Sequence, residues 1–115
     1  RRLRNLVDLG CIFVGHGLQN DFRIINLHVP PEQVIDTVNI YFYPERHRRL
    51  SLRFLAWAVL GEDIQAITHD SIEDSLTALR LYDKYQDLIN IGEFEKLLSD
   101  VYTKGSYYNF KPPSD

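Results

Sequence analysis

Cys11-Ile12-Phe13-Val14, four apolar residues in a row, runs directly into Gly15-His16-Gly17, and no other junction in the chain narrows the possible folds as much. So short a continuous apolar run reads as a buried strand, since a half-exposed strand would alternate and a buried helix would be longer. The two glycines then permit a tight turn into residues 18–27, where Leu18, Phe22 and Ile25 recur at helical spacing. Pro30-Pro31 ends that helix, and Val34 to Val38 reads as a second buried strand. The stretch between the strands is long enough for the right-handed crossover of a parallel βαβ unit. In open sheets of this kind, ligands gather beyond the carboxyl ends of the strands. That rule puts His16, Gly17 and the helical turn bearing Asp21 at the edge where chemistry is expected.

The rest of the chain reads as helical. Leu3, Leu6, Val7 and Leu9 suggest a short amphipathic helix stopped by Gly10. Residues 50–60 place Leu52, Leu55, Ala56 and Val59 on one face, with Ser51 as the cap and Gly61 beyond the end. A longer helix over 72–88 carries Ile72, Leu76, Leu79, Leu81, Tyr82 and Tyr85 as a broad apolar stripe, and a last one runs from about Phe94 to Tyr102. Tyr107 to Pro113 reads as extended. A two-stranded sheet cannot cover its helices or stand alone in water, so further strands are expected outside this sequence. The expected division is residues 1–103 as the C-terminal part of an α/β domain and 104–115 as an extended tail.

Hydrophobic residues make up 44% and charged residues 25% of the 115, the balance of an ordinary globular protein. The formal charge of −3 excludes a uniformly basic, phosphate-seeking surface and leaves only local patches for nucleic acid. No apolar run approaches the ~20 residues that span a bilayer. The single cysteine, Cys11, reads as a small buried hydrophobe, and no disulfide can form within the chain. The opening Arg1-Arg2-Leu3-Arg4 and the absence of methionine fit an excised piece of a longer protein, and a reducing compartment is the default.

Three polar residues stand out. Asp21 falls in the first turn of a helix, and Asp74 falls just inside another, preceded by His69 at the loop-to-helix junction. Each has a structural reading. A carboxylate is favoured near a helix N-terminus whatever its function, and Asp70 or Ser71 with Glu73 or Asp74 would make a capping box. His69 alone would be a solvated loop histidine. His16 and Gly17 line the expected ligand edge, where a hydrogen-bonded turn role is equally open for His16. The run Arg46-His47-Arg48-Arg49 reads as a solvated loop or a phosphate contact.

Taken together, Gly15-His16-Gly17-Leu18-Gln19-Asn20-Asp21-Phe22 and His69-Asp70-Ser71-Ile72-Glu73-Asp74 resemble the second and third acidic motifs of ribonuclease H-like 3′-to-5′ exonucleases of the four-acid, histidine-bearing group. The similarity covers about Gly10 to Tyr85. More narrowly, Val29 to Val38, Leu50 to Trp57 and Thr68 to Asp74 are similar to the nuclease domains of catalytic subunits of poly(A)-nuclease deadenylation complexes. The resemblance implies hydrolysis of single-stranded poly(A) RNA from its 3′ end with release of AMP, using two Mg²⁺ or Mn²⁺ ions. It implies Asp74 as a direct metal ligand, Asp21 as an acid acting on a metal through water, and His69 as the general base. It also implies a pseudokinase-type regulatory subunit, indirect contact with poly(A)-binding protein and a cytoplasmic location.

The family's first motif, an Asp-x-Glu pair on an earlier strand, has no counterpart before Gly15. The expectation is therefore a C-terminal fragment of the nuclease domain, inactive by itself. A DNA proofreading or repair exonuclease of the same fold would use the same three residues, and a non-catalytic, nuclease-like interaction module would lack the first motif. Both alternatives stay open on the sequence.

Overall fold

The strand, turn and helix at the centre of the chain form as their spacing predicts. The computed structural model describes residues 2–64 and 71–113. A first helix, α1 (Arg2–Asp8), leads through Gly10, at φ 81°, into strand β1 (Phe13–Gly15), helix α2 (Leu18–Ile24), strand β2 (Val34–Asp36) and the single turn α3 (Thr37–Ile40). The strands are parallel, pairing Phe13 with Val34, Val14 with Ile35 and Gly15 with Asp36. Asn26 ends α2 in the left-handed conformation, and Leu27 donates back to the Phe22 carbonyl at 2.8 Å, so the helix closes three residues earlier than expected.

Beyond the sheet, α4 (Leu52–Leu55) continues as a wider turn over Ala56–Leu60, and α5 (Ser71–Asn90) and α6 (Phe94–Tyr108) follow. Ser51 caps α4 as predicted, its hydroxyl accepting the Phe54 N–H at 3.1 Å, and Gly61 stops the segment at φ 71°. The core lies among these helices: Tyr41, Leu50, Phe54, Leu55, Leu81, Phe94, Leu98, Val101 and Tyr102 form one buried cluster. Two buried tyrosines tie the 41–50 loop to the helices. Tyr41 donates to the Leu81 carbonyl and Tyr102 to the Arg48 carbonyl, both at 2.7 Å, which satisfies hydroxyls that burial would otherwise penalise.

Several expectations are corrected. The second strand stops at Asp36, because the Asp36 carboxylate takes the Val38 N–H at 3.1 Å and starts a helix. Cys11 is exposed, not buried. It precedes the three residues of β1 that pair, and its carbonyl receives the Gln33 side-chain amide at 2.9 Å. In the α5 stripe, Leu81 is buried and Tyr82 and Tyr85 are half-buried, whereas Leu76 and Leu79 remain exposed; Thr77 and Ala78 occupy the buried face instead. The extended tail from residue 104 is also overturned. α6 continues to Tyr108, because Gly105 lets the Phe110 ring fold back onto the helix and the Phe110 N–H reach the Gly105 carbonyl at 2.8 Å.

Candidate active site

A cleft of about 200 Å³ opens at the carboxyl end of β1, walled by Gly15, His16, Leu18, Asp21, Leu52, Asp74 and Ser75. Its shape originates in the backbone. Gly17 sits at φ 77°, where a residue with a Cβ is strained, and turns the chain sharply from strand into α2. The Gly17 and Leu18 N–H groups, which α2 leaves without helical partners, donate to Asp36 Oδ1 and Oδ2 at 2.8 and 2.9 Å. With the Val38 N–H on Oδ1, the buried Asp36 carboxylate accepts three backbone donors and locks the ends of both strands together. Asp21 then falls one turn into α2, and Asp74 in the first turn of α5, both exposed and on the same cleft.

His16 lines the cleft, but both its ring nitrogens are engaged. Nε2 lies 2.9 Å from the Leu50 carbonyl and therefore carries a proton, and Nδ1 lies 2.9 Å from Thr37 Oγ1. The Thr37 hydroxyl also lies 3.1 Å from the Gly15 carbonyl and has one proton to give. With neutral His16, that proton goes to Nδ1; with the imidazolium, Nδ1 donates to Thr37, which donates to Gly15. Burial holds the His16 pKa below its ordinary value, against the Leu50 hydrogen bond and the Asp36 and Asp74 charges, which favour the cation. The neutral arrangement therefore prevails at pH 7. Neither His16 nor Gly17 presents a free hydrogen-bonding nitrogen to a ligand; they shape the wall.

His69 lies outside the described residues. The chain leading toward it is held by two ion pairs, Arg53 with Asp63 at 2.9 Å and Arg80 with Glu62. These fasten Glu62 and Asp63 to α5 and α4. Asp36, Thr37 and Leu50 fall within stretches that carry the family resemblance, but residue patterns assigned them no part in shaping the cleft. An Asp closing a strand ahead of Thr37 is an N-cap signature, and that was the available signal.

Asp21 and Asp74 supply hard carboxylate oxygens on one cleft, the donor type that Mg²⁺ or Mn²⁺ prefers. Among the described residues no group of three or more His, Cys, Asp or Glu side chains converges as a metal site. The two acids fit part of a ligand set.

The parallel strand pair brings Asp21 on α2 and Asp74 on α5 to one cleft at the carboxyl end of β1, the place where ligands gather in open α/β sheets. The Exonuclease family model matches residues 1–82, and the chain belongs to that family. Its α/β fold is the ribonuclease H-like exonuclease fold in part. Among curated proteins it is 60% identical over 114 residues to the catalytic subunit pan2 of the PAN2-PAN3 deadenylation complex of Schizosaccharomyces pombe, covering 99% of this chain and 10% of that protein. It is 63% identical over 113 residues to the PAN2 subunit of Yarrowia lipolytica, covering 98% and 11%. Among solved structures, the Saccharomyces cerevisiae Pan2 pseudoubiquitin hydrolase-RNA exonuclease module in complex with AAGGA RNA superposes with a TM-score of 0.90 at 50% identity, over 96% of this chain and 18% of that one. The Neurospora crassa Pan2 catalytic unit gives 0.81 at 56% identity, over 84% and 16%. The chain thus spans about a tenth of the length of these curated relatives.

Proposed function

We propose that this chain is part of the nuclease domain of a Pan2-type catalytic subunit, a poly(A)-specific 3′-to-5′ exoribonuclease that releases AMP. The observation that carries this reading is the placement of Asp21 and Asp74 on one cleft at the carboxyl end of β1. Identity of 54–63% to subunits of the PAN2-PAN3 deadenylation complex, and the RNA complexes of the yeast module, support the choice of substrate.

Asp74 would hold a divalent metal, Mg²⁺ or Mn²⁺, directly, and Asp21, on the same cleft, would act on it through water. When bound, such ions neutralise charge on the reacting phosphate and lower the pKa of water. Asp36 fixes the Gly17 turn and so the position of Asp21 on α2. His16 and Gly17 act on the substrate through the form of the wall. His69 would take the proton from the attacking water, a role that requires a neutral imidazole. On the same reading the subunit works in the cytoplasm with a pseudokinase-type partner and meets its RNA through poly(A)-binding protein.

The test is a Mg²⁺-dependent assay of the whole subunit on 3′-terminal oligoadenylate and on the matching oligodeoxyadenylate. Adenylate release from the RNA, abolished in Asp74→Ala, is the expected result. Preferential cleavage of the DNA, or activity untouched by Asp74→Ala, overturns it.

A further inference from the structure

We propose that the loop bearing Arg46 and Arg48 and the C-terminal end of α6 form a second nucleic-acid contact, a basic and aromatic strip that holds single-stranded RNA leading away from the candidate cleft. The direction and the nucleic acid rest on the functional reading above; the strip itself rests on its own geometry.

The strip is built around α6. Arg46 Nη2 donates to Ser106 Oγ at 2.8 Å, the Arg48 guanidinium lies 4.1 Å from the centre of the Phe110 ring, and the Lys104 ammonium lies 4.9 Å from that of Trp57. Lys111 follows Phe110 and is exposed. Arg46, Arg48 and Lys104 are held in place by ring faces, a hydroxyl and a backbone carbonyl, not by acids. Among the described residues none of the four lies within 4.0 Å of a carboxylate, in a chain whose formal charge is −3. Glu45 and Asp100 border the strip without pairing across it.

Rings are interleaved with the charges. Trp57 meets Tyr108 edge-on at 5.0 Å, Tyr108 meets Tyr107 at 4.8 Å, and Tyr107 is 82% exposed. A ring so exposed yet packed edge-on against a neighbour is a preformed stacking platform. Alternating cations and ring faces is the surface that tracks a flexible single strand, its phosphates on the charges and its bases on the rings. Arginine and aromatic rings also suit a protein interface, but the exposed Lys104 and Lys111, a residue type depleted there, favour nucleic acid.

Continuity with the cleft completes the argument. The Leu50 carbonyl, directly after residues 46–49, bonds to His16, and Leu52 lines the cleft itself. Arg48 is two residues from Leu50, at most about 7 Å between Cα atoms, a distance one or two nucleotides span. An RNA end seated by Asp21 and Asp74 therefore has a charged, ring-lined exit beside it.

The experiment uses the whole subunit in its complex, with Lys104→Gln/Lys111→Gln and Tyr107→Ala as variants. Binding is measured by fluorescence anisotropy on an oligoadenylate of about 20 nucleotides, and turnover on that oligomer and on a trinucleotide. Expected are a loss of long-oligomer affinity of about 3- to 10-fold for each variant, and a log K against log salt slope shallower by about 1.4 for the double lysine variant. Turnover of the trinucleotide stays unchanged. Unchanged long-oligomer affinity and slope, or equal loss on both oligomers, overturns the strip. So does loss of a protein subunit from the complex with RNA affinity intact, which would make this face a protein interface. If the parent protein cleaves neither oligomer yet the variants still bind long RNA less tightly, the nuclease reading fails and the strip stands.

Discussion

The Asp36 carboxylate accepts the Gly17 N–H at 2.8 Å, so a side chain at the end of one strand sets the turn at the end of its neighbour. Two more backbone donors, Leu18 and Val38, converge on the same group. In Asp36→Asn, the amide nitrogen would face an N–H that it cannot accept, and a buried donor left without an acceptor costs about 1–3 kcal/mol. We expect Asp36→Asn to lower the stability of the protein carrying this chain by about 2 kcal/mol, read from the urea midpoint at constant slope. Turnover should fall as well, since α2 and Asp21 lose their fixed origin. An unchanged midpoint would mean that the turn holds without Asp36.

His16 gives the fold an acid sensitivity of definite sign. Its pKa lies below the ordinary 6.5 in the folded chain because of burial, so between the two values the unfolded chain binds more protons. Stability from this site is complete above pH 6.5, declines as pH falls through that value, and levels off below the folded-state pKa. Thermal unfolding between pH 8 and pH 5 should show a drop in Tm that is blunted in His16→Gln, which cannot titrate. A parallel drop in the variant would assign the acid sensitivity elsewhere.

How much of this was legible depended on whether the governing signal was local. The βαβ unit was, because Gly15, Gly17 and Pro30-Pro31 punctuate it and the apolar spacing switches from a continuous run to helical. Asp21 and Asp74 were legible as motif residues, and the structure sets both on one cleft. Asp36 was not, since an acid closing an apolar strand acquires its meaning only from Gly17 and Leu18, 19 and 18 residues away. The exposure of Cys11 likewise depended on which residues of its run pair with β2. The end of α6 was misplaced because Gly105 reads as a stop, while in the fold it makes room for Phe110.

The assigned chemistry predicts different kinetic signatures for its parts. His69→Ala in the whole enzyme should lower kcat by about 10²- to 10⁴-fold, the range of a positioned general base, while RNA affinity changes little. Asp21→Asn, acting on the metal through water, should cost about 10- to 100-fold, partly recovered at high Mg²⁺ or Mn²⁺. Single-turnover assays with a metal titration separate the two. A normal kcat in His69→Ala removes that residue from the base role, and an Asp21→Asn defect indifferent to metal concentration removes Asp21 from the metal's surroundings.

Gly105→Ala tests the closing of α6 with a result whose sign is informative. In an open helix the change would stabilise by up to about 1 kcal/mol, since alanine is the better helix former. Here a Cβ at residue 105 would overlap Cε1 and Cδ1 of Phe110. That ring sits edge-on to Phe54 at 5.8 Å and to Tyr102 at 6.2 Å, beneath the Arg48 guanidinium, and its own backbone is left-handed at φ 58°. A bulky residue holds such a conformation only when its contacts outweigh the strain. Displacing the ring forfeits them, so Gly105→Ala should destabilise by about 1–3 kcal/mol. Adding Phe110→Ala removes the overlap, and the double variant should be less destabilised than the sum of the singles. A stabilising Gly105→Ala would show that Phe110 does not pack on α6, and the Arg48 anchor of the proposed strip would go with it.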